Sequence, residues 1–348
     1  MKKLLLILLS ILFANTGVFA QYVYPFQNTS LSDEKRLDNL LSIMTIDEKI
    51  NALSTNLGVP RLGIRNTGHS EGLHGMALGG PGNWGGFKMV NYQRMPDVYP
   101  TTTFPQAYGL GETWDTELIK KVADIEATEI RYYTQNERYT KGGLVMRAPN
   151  ADLARDPRWG RTEESFGEDP FLVSEMAVAF IKGLQGDNPR YWKSASLMKH
   201  FLANSNEDGR DSTSSNFDNR LFHEYYSYPF RKGIEKGGSQ AFMAAYNSWN
   251  GIPMTIHPIL KDIRKDWNFK GIICTDGGAL DLLIKAHKTF PTHTEGSAAI
   301  VKAGVGQFLD NFRPYIYEAL QKGMLTEADI DKAIRGNFYI ALKLGLLD

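Results

Sequence analysis

Two spacings of apolar residues alternate along this 348-residue chain. Stretches with apolar positions three to four apart predict amphipathic helices, and short runs apolar at every position predict strands covered on both faces. Two helical stretches are expected between Ser32 and Leu53. The second opens at Thr45-Ile-Asp-Glu48, where hydroxyl and carboxylate have the spacing to accept each other's backbone N–H. A long amphipathic helix is expected over Glu112–Tyr133. Another opens at Asp169-Pro170, a cap residue with proline at the first position, and Gly183 is placed to close it. Asn219–Lys236, His257–Trp267 and Tyr315–Lys322 read as further helices; Thr326-Glu-Ala-Asp329 caps the last one, running toward Leu342. Strands are expected at Gly143–Ala148, Ser196–Lys199, Gln240–Ala245 and Gly271–Thr275.

Strand–helix alternation sustained over roughly 300 residues implies an α/β fold, a (β/α)8 TIM-type barrel, with an open doubly wound sheet as the second arrangement. No GxGxxG turn follows a strand, which argues against dinucleotide binding. The first 20 residues stand apart. Lys2 and Lys3 precede the apolar run Leu4–Phe13, and Val18-Phe19-Ala20 ends in a small residue suited to cleavage before Gln21. The run is too short for an ordinary membrane span, and no cysteine follows the cleavage point to carry a lipid. The expectation is a signal peptide over 1–20 and one barrel domain over 21–348. The mature chain would be exported to a bacterial periplasm or exterior without a membrane anchor.

Composition narrows the partners. Lys plus Arg and Asp plus Glu each total 39, so nothing steers the chain toward nucleic acid or an anionic membrane. The 6 Trp and 16 Tyr suit stacking on sugar rings and suit an ordinary core equally well. Cys274 is the single cysteine, so no intramolecular disulfide forms, and its apolar surroundings read as those of a buried structural thiol. The seven histidines show no HxH or HExxH spacing, so neither a metal nor a cofactor is expected.

The chemistry gathers where strands end. Ser196–Lys199 runs into Lys199-His200, Gln240–Ala245 into Tyr246-Asn247, and Gly271–Thr275 into Asp276. Gly143–Ala148 leads through Asn150 to Arg155-Asp156 and Trp159-Gly160-Arg161. In a barrel these carboxyl ends converge on one face, where catalytic groups sit. One polar residue after a strand is usually a turn or cap residue. Four such places, all with side chains able to hydrogen-bond a sugar, point to a site.

The segments Glu71-Gly-Leu-His-Gly75, Thr103-Phe-Pro-Gln106, Arg155-Asp-Pro-Arg-Trp-Gly-Arg161, Gly167-Glu-Asp-Pro170, Gly183-Leu-Gln-Gly186, Lys199-His200, Ala245-Tyr-Asn247, Asn250-Gly251 and Thr275-Asp276 together resemble glycoside hydrolase family 3. That family includes β-glucosidases and β-xylosidases, and the resemblance runs over about residues 35 to 348. It implies that Asp276 is the nucleophile of a retaining mechanism, which needs a carboxylate close to the anomeric carbon. It assigns contacts with the substrate sugar to Glu71, Arg161, Lys199, His200, Arg210 and Tyr246. Lys199 and Arg161 are expected to hold Asp276 ionised, since nearby cations lower a carboxylate pKa. Tyr246 is expected to position Asp276 by a hydrogen bond. Asp156 reads as a loop-pinning ion-pair partner, Trp159 as loop packing, and Glu168 and Asp169 as loop and cap residues. Gly277, where the family often has a larger residue, is expected to widen the site.

The implied substrate is a β-linked oligosaccharide or glycoside cut at its terminal sugar, with β-glucosidase first and β-xylosidase next. The EGLHG setting of Glu71 leans toward xylosidase-like members. No acid/base residue is evident in these 348 residues, so the resemblance implies a C-terminal domain or another subunit that supplies it. A sugar-binding barrel without complete catalysis is the reading from another class.

Overall fold

A computed structural model of the protein describes residues 22–78, 87–96, 99–139 and 142–348. The expected signal peptide lies outside the described residues.

The fold is a (β/α)8 barrel whose wall is assembled from very short parallel strands. β1 (His69–Ser70) pairs with β2 (Val145–Met146), and β2 with β3 (Ala195–Ser196). The chain continues from β3 into β4 (Met198–Phe201), which pairs with β5 (Ala241–Ala244), which pairs with β6 (Ile272–Cys274). Single parallel bridges carry the ring onward from Cys274 to Gln307 and from Phe308 to Ser54. The four strands expected from the sequence are all present. Positions near 54, 69–70 and 307–308 complete the wall and were not expected. They are too short, and too mixed in polarity, to stand out as apolar runs.

Helices cover the wall where their caps allow. Ser32 and Thr45 cap Asp33–Ile43 and Ile46–Asn51, with the Thr45–Glu48 capping box formed as expected. The long helix runs Thr116–Gln135 rather than from Glu112, because Asp115 accepts the Leu118 N–H and fixes the start. Asp169 caps Pro170–Gln185 as expected. Gly183 does not close that helix; Gly186 does, at φ 73°. Gly183 serves close packing instead, since a Cβ there would stand 2.3 Å from the Lys120 carbonyl oxygen of the neighbouring long helix. The expected helix over Asn219–Lys236 is interrupted. A wide turn at Phe222–Tyr226 precedes Tyr228–Glu235, where Pro229 lacks the N–H that would continue the ladder. Ala279–Lys285 and His293–Lys302 were not expected.

The last helix, Glu327–Lys343, starts from the expected Thr326–Asp329 capping box and locks onto the barrel floor. The Asn337 amide donates to Ala52 O at 2.8 Å and Gly306 O at 2.6 Å. Gly336 lies flat against the entry to β6, and a Cβ there would meet the Gly271 carbonyl oxygen at 2.1 Å. Cys274 is buried within this packing as a free thiol. Among the described residues no helix is long and apolar enough to cross a membrane.

Gly336 tests that seam. The clash of a Gly336→Ala methyl is with backbone, which cannot rotate away. The variant is expected to lose about 1–3 kcal/mol of stability, as for other overpacked cores. Chemical denaturation with an unchanged m-value measures it; wild-type stability would mean that this helix does not seat as described.

Candidate active site

The carboxyl ends of the strands open into one cleft of about 940 Å³. Every residue that the sequence analysis assigned to the nucleophile or to sugar contacts lines it: Glu71, Arg161, Lys199, His200, Arg210, Tyr246 and Asp276. The chain brings them together by one rule. Glu71 follows β1, Lys199 and His200 lie in β4, Tyr246 follows β5 and Asp276 follows β6.

Glu71 is the hub of an ion cluster. Its Oε2 accepts from Lys199 Nζ at 2.9 Å and its Oε1 from Arg147 Nη1 at 2.8 Å. Burial opposes the charge on Glu71, yet Lys199 and Arg147 hold its pKa below the ordinary range. The Lys199 side chain is only 7% exposed, so an unpaired ammonium there would be costly. Arg147 Nε also donates to His69 Nδ1 at 3.2 Å. Burial and Arg147 push His69 down to about 3, so its imidazole is neutral and its Nε2–H donates to Gln307 Oε1 at 2.8 Å.

A second cluster holds His200. Arg161 makes a two-pronged contact with Glu164, 2.7 Å on each side, and its Nη2 donates to His200 Nε2 at 3.3 Å. His200 Nδ1 lies 2.9 Å from Asp152 Oδ2. Burial, then Arg161, Lys199 and Arg210, keep the imidazole neutral. Because Nε2 accepts from Arg161, the proton belongs on Nδ1 and is donated to Asp152.

Asp276 stands between the clusters. Its Oδ1 accepts from Gly277 N at 2.7 Å, and its Oδ2 lies 3.8 Å from His200 Nε2. Lys199 and Arg161 favour its charged form, as expected, but they do not set the direction of the shift. Burial is the largest influence and raises its pKa, while Gly277 N–H, Lys199, Tyr246 and Arg161 pull it back only in part. The Tyr246 hydroxyl donates to the Gly277 carbonyl at 2.7 Å, gripping the turn beside Asp276. Burial and Asp276 raise the Tyr246 pKa, so the phenol keeps its proton.

Arg210 reaches the cleft over the Tyr246 ring, 4.9 Å from its centroid, with Glu207 Oε2 at 2.9 Å. Glu207 also accepts from the Trp159 indole at 3.2 Å, so Trp159 is buried loop packing. Asp156 pairs with Arg158, and Arg155 lies over the Tyr226 ring; none of the three lines the cleft. A Cβ at Gly277 would have only the Tyr246 hydroxyl nearby, at 3.9 Å, which leaves the widened flank that the sequence implies. Arg147, Asp152, Glu164 and Glu207 were not singled out. Each followed a strand or shared a loop with a predicted residue, but the pairing that gives it a role exists only in the fold. Among the described residues no group of three or more His, Cys, Asp or Glu is placed to hold a metal ion.

The profile described as Glycosyl hydrolase family 3 N terminal domain matches residues 93–336. Probable beta-D-xylosidase 7 of Arabidopsis thaliana is 33% identical over 94% of this chain and 43% of its own length. Xylan 1,4-beta-xylosidase of Xylanibacter ruminicola is 31% identical over 91% of this chain and 36% of its own. Among solved structures, the GH3 exo-beta-xylosidase XlnD, in complex with a xylobiose aziridine activity-based probe, superposes with a TM-score of 0.83 at 25% identity. It covers 93% of this chain and 42% of that one. The beta-glucosidase from Listeria innocua superposes at 0.73 with 26% identity, over 91% of this chain and 47% of that one. The chain thus spans less than half the length of the relatives it matches. With a cleft built at the strand ends and a matching profile over most of its length, the chain belongs to glycosyl hydrolase family 3.

Proposed function

We propose that the chain is the nucleophile-bearing barrel of a retaining β-glycosidase that releases terminal sugars from β-linked oligosaccharides or glycosides. The observation that carries this is Asp276, a carboxylate at a barrel strand end beside a neutral histidine and two ion clusters. Asp276 attacks the anomeric carbon and forms a glycosyl ester as the aglycone departs; water then releases the sugar. Glu71, Lys199, His200, Arg161 and Arg210 hold the hydroxyls of that sugar. The resemblance to xylosidases supports a xyloside. The unfilled flank at Gly277 favours a second reading, a glucoside, whose extra hydroxymethyl group needs room.

The proton for the departing oxygen comes, in this reading, from a further domain or partner. Glu71, Glu164 and Glu207 are each tied to a cation, which suits an ionised carboxylate rather than a proton donor. Glu163, also in the lining, is exposed to water. The leader at 1–20 supports export to a bacterial periplasm or exterior, and a mature chain beginning at Gln21 by amino-terminal sequencing checks that.

A dinitrophenyl 2-deoxy-2-fluoro β-glycoside tests the nucleophile, because its activated leaving group needs no proton. Mass spectrometry is expected to find one sugar on the peptide holding Asp276, and none on Asp276→Ala; a sugar on another carboxylate overturns the assignment. Only the carboxylate attacks, so the labelling rate should rise with pH through a step above the usual aspartate value of about 3.9. Lys199→Met removes a cation that favours the charged form, and should move that step further up.

A proton donor supplied from outside these residues has its own signature. General acid catalysis typically contributes about 10²–10⁴-fold. The purified chain is therefore expected to cleave dinitrophenyl β-xyloside or β-glucoside while cleaving xylobiose and cellobiose slower by a factor of that order. Azide should yield a β-glycosyl azide. Efficient disaccharide cleavage that Glu163→Gln abolishes would place the acid within these residues.

A further inference from the structure

Asp310 lies just past the Gln307–Phe308 position of the barrel wall, one strand end beyond Asp276. Its Oδ2 accepts from Thr275 Oγ1 at 2.9 Å, and its Oδ1 accepts from Leu280 N at 3.3 Å. Thr275 precedes Asp276, and Leu280 is the second residue of the helix that follows it. One carboxylate therefore grips both ends of the turn that carries Asp276. Thr275 is itself fully buried and fixed, its Oγ1 accepting from Leu309 N at 2.9 Å and its N–H donating to Gln307 O at 2.9 Å.

Apart from Asp310, the turn is held by the Tyr246 hydroxyl on the Gly277 carbonyl and by the Ala279 N–H on the Asp276 carbonyl at 3.2 Å. It contains Gly277 and Gly278, the latter at φ 81° and the cap residue of Ala279–Lys285 with no side chain to accept a helix N–H. Asp310 supplies that acceptor from outside the helix. Its opposite side faces a small cavity of about 340 Å³ lined by Asp281, Asn311 and Tyr315, among others. Asp281 is paired with Lys285 and His293.

We infer that Asp310 is the positioning residue of the Asp276 turn: by holding Thr275 and Leu280 at once, its carboxylate sets where the Asp276 carboxylate stands in the cleft. This rests on the reading of Asp276 as nucleophile. Asp310 is not among the residues that line the cleft. Its pKa is pushed up to about 6, first by burial and then by Asp281 and Asp276, with the Thr275 and Leu280 hydrogen bonds opposing. Only the ionised carboxylate can accept at both oxygens with full strength. As pH falls through that value, one side of the grip weakens, and the Asp276 turn loosens before the fold does.

The labelling reaction with the dinitrophenyl 2-fluoro glycoside reads this without any general acid. Asp310→Asn keeps one acceptor and replaces the other with an amide NH2, imitating the protonated state at every pH. Its maximal labelling rate at pH 7 is expected to fall by about 10–100-fold, the scale of a misplacement near 1 Å. The half-saturating reagent concentration should change less than threefold, since the sugar contacts are untouched. The wild-type rate should lose an additional component below about pH 6 that the variant lacks. Thr275→Val removes one half of the grip without touching Asp310 and serves where the asparagine variant does not fold; its maximal rate is expected to fall in the same direction. If wild-type protein is not labelled on Asp276, the nucleophile reading fails. If it is, and either folded variant labels at the wild-type maximal rate with the same pH profile, Asp310 has no positioning role and the nucleophile stands.

Discussion

A charge buried at the rim of this barrel is costly unless it is paired. The parallel strands end within a few ångströms of one another, and helices and loops close over them, so a side chain there is largely out of water. Lys199 is the sharpest case. It sits in a strand, nearly buried, and an isolated ammonium in that place would cost several kcal/mol. Glu71 meets it from β1 and Arg147 meets Glu71 from β2. Three strands far apart in sequence are thereby tied at their ends by a single salt cluster. The same demand produces Arg161 with Glu164, and Arg210 with Glu207.

Those pairings decide what could be read from the chain. Strands buried on both faces leave continuous apolar runs, and all four expected strands are found where they were placed. Strands of one or two residues, near 54, 69–70 and 307–308, leave no run and were invisible. Gly183 had the composition of a helix end, but the contact that needs it is with Lys120 on another helix, a fact of packing. Of the seven expected cleft residues, Arg210 came from the family resemblance alone; the other six were legible because each belongs to a motif or follows a strand. Arg147, Asp152, Glu164, Glu207 and Asp310 were not, because a counter-ion or second-layer acceptor is defined by its partner in space. The upward shift of Asp276 was not legible for a related reason: Lys199 and Arg161 can be found along a sequence, whereas burial, the larger influence, cannot.

His200 shows how the clusters act on one another. An imidazole with Arg161, Lys199 and Arg210 around it cannot easily take a proton, and burial removes what tendency remains. Held neutral, with Nδ1–H toward Asp152, it turns an unprotonated nitrogen toward both Arg161 and Asp276. It therefore offers Asp276 no proton and no positive charge. The charged form of Asp276 is favoured only by what the Gly277 N–H, Lys199, Tyr246 and Arg161 supply against burial. That balance leaves the Asp276 carboxylate more basic than an exposed aspartate.

The charge inventory of the cleft also bears on its ligand. Its lining holds five carboxylates, Glu71, Glu163, Glu164, Glu207 and Asp276, against four cations, Arg147, Arg161, Lys199 and Arg210. Three of the carboxylates are already engaged with those cations. A phosphate entering here would have to break a pair or remain uncompensated. A neutral polyhydroxylated ring, the ligand proposed above, does neither. Each hydroxyl can donate to a carboxylate and accept from a guanidinium or ammonium without disturbing the net charge, which spares the penalty of buried polar groups left unpaired. The ion pairs that let the barrel close over its own rim are thus the arrangement a sugar can enter.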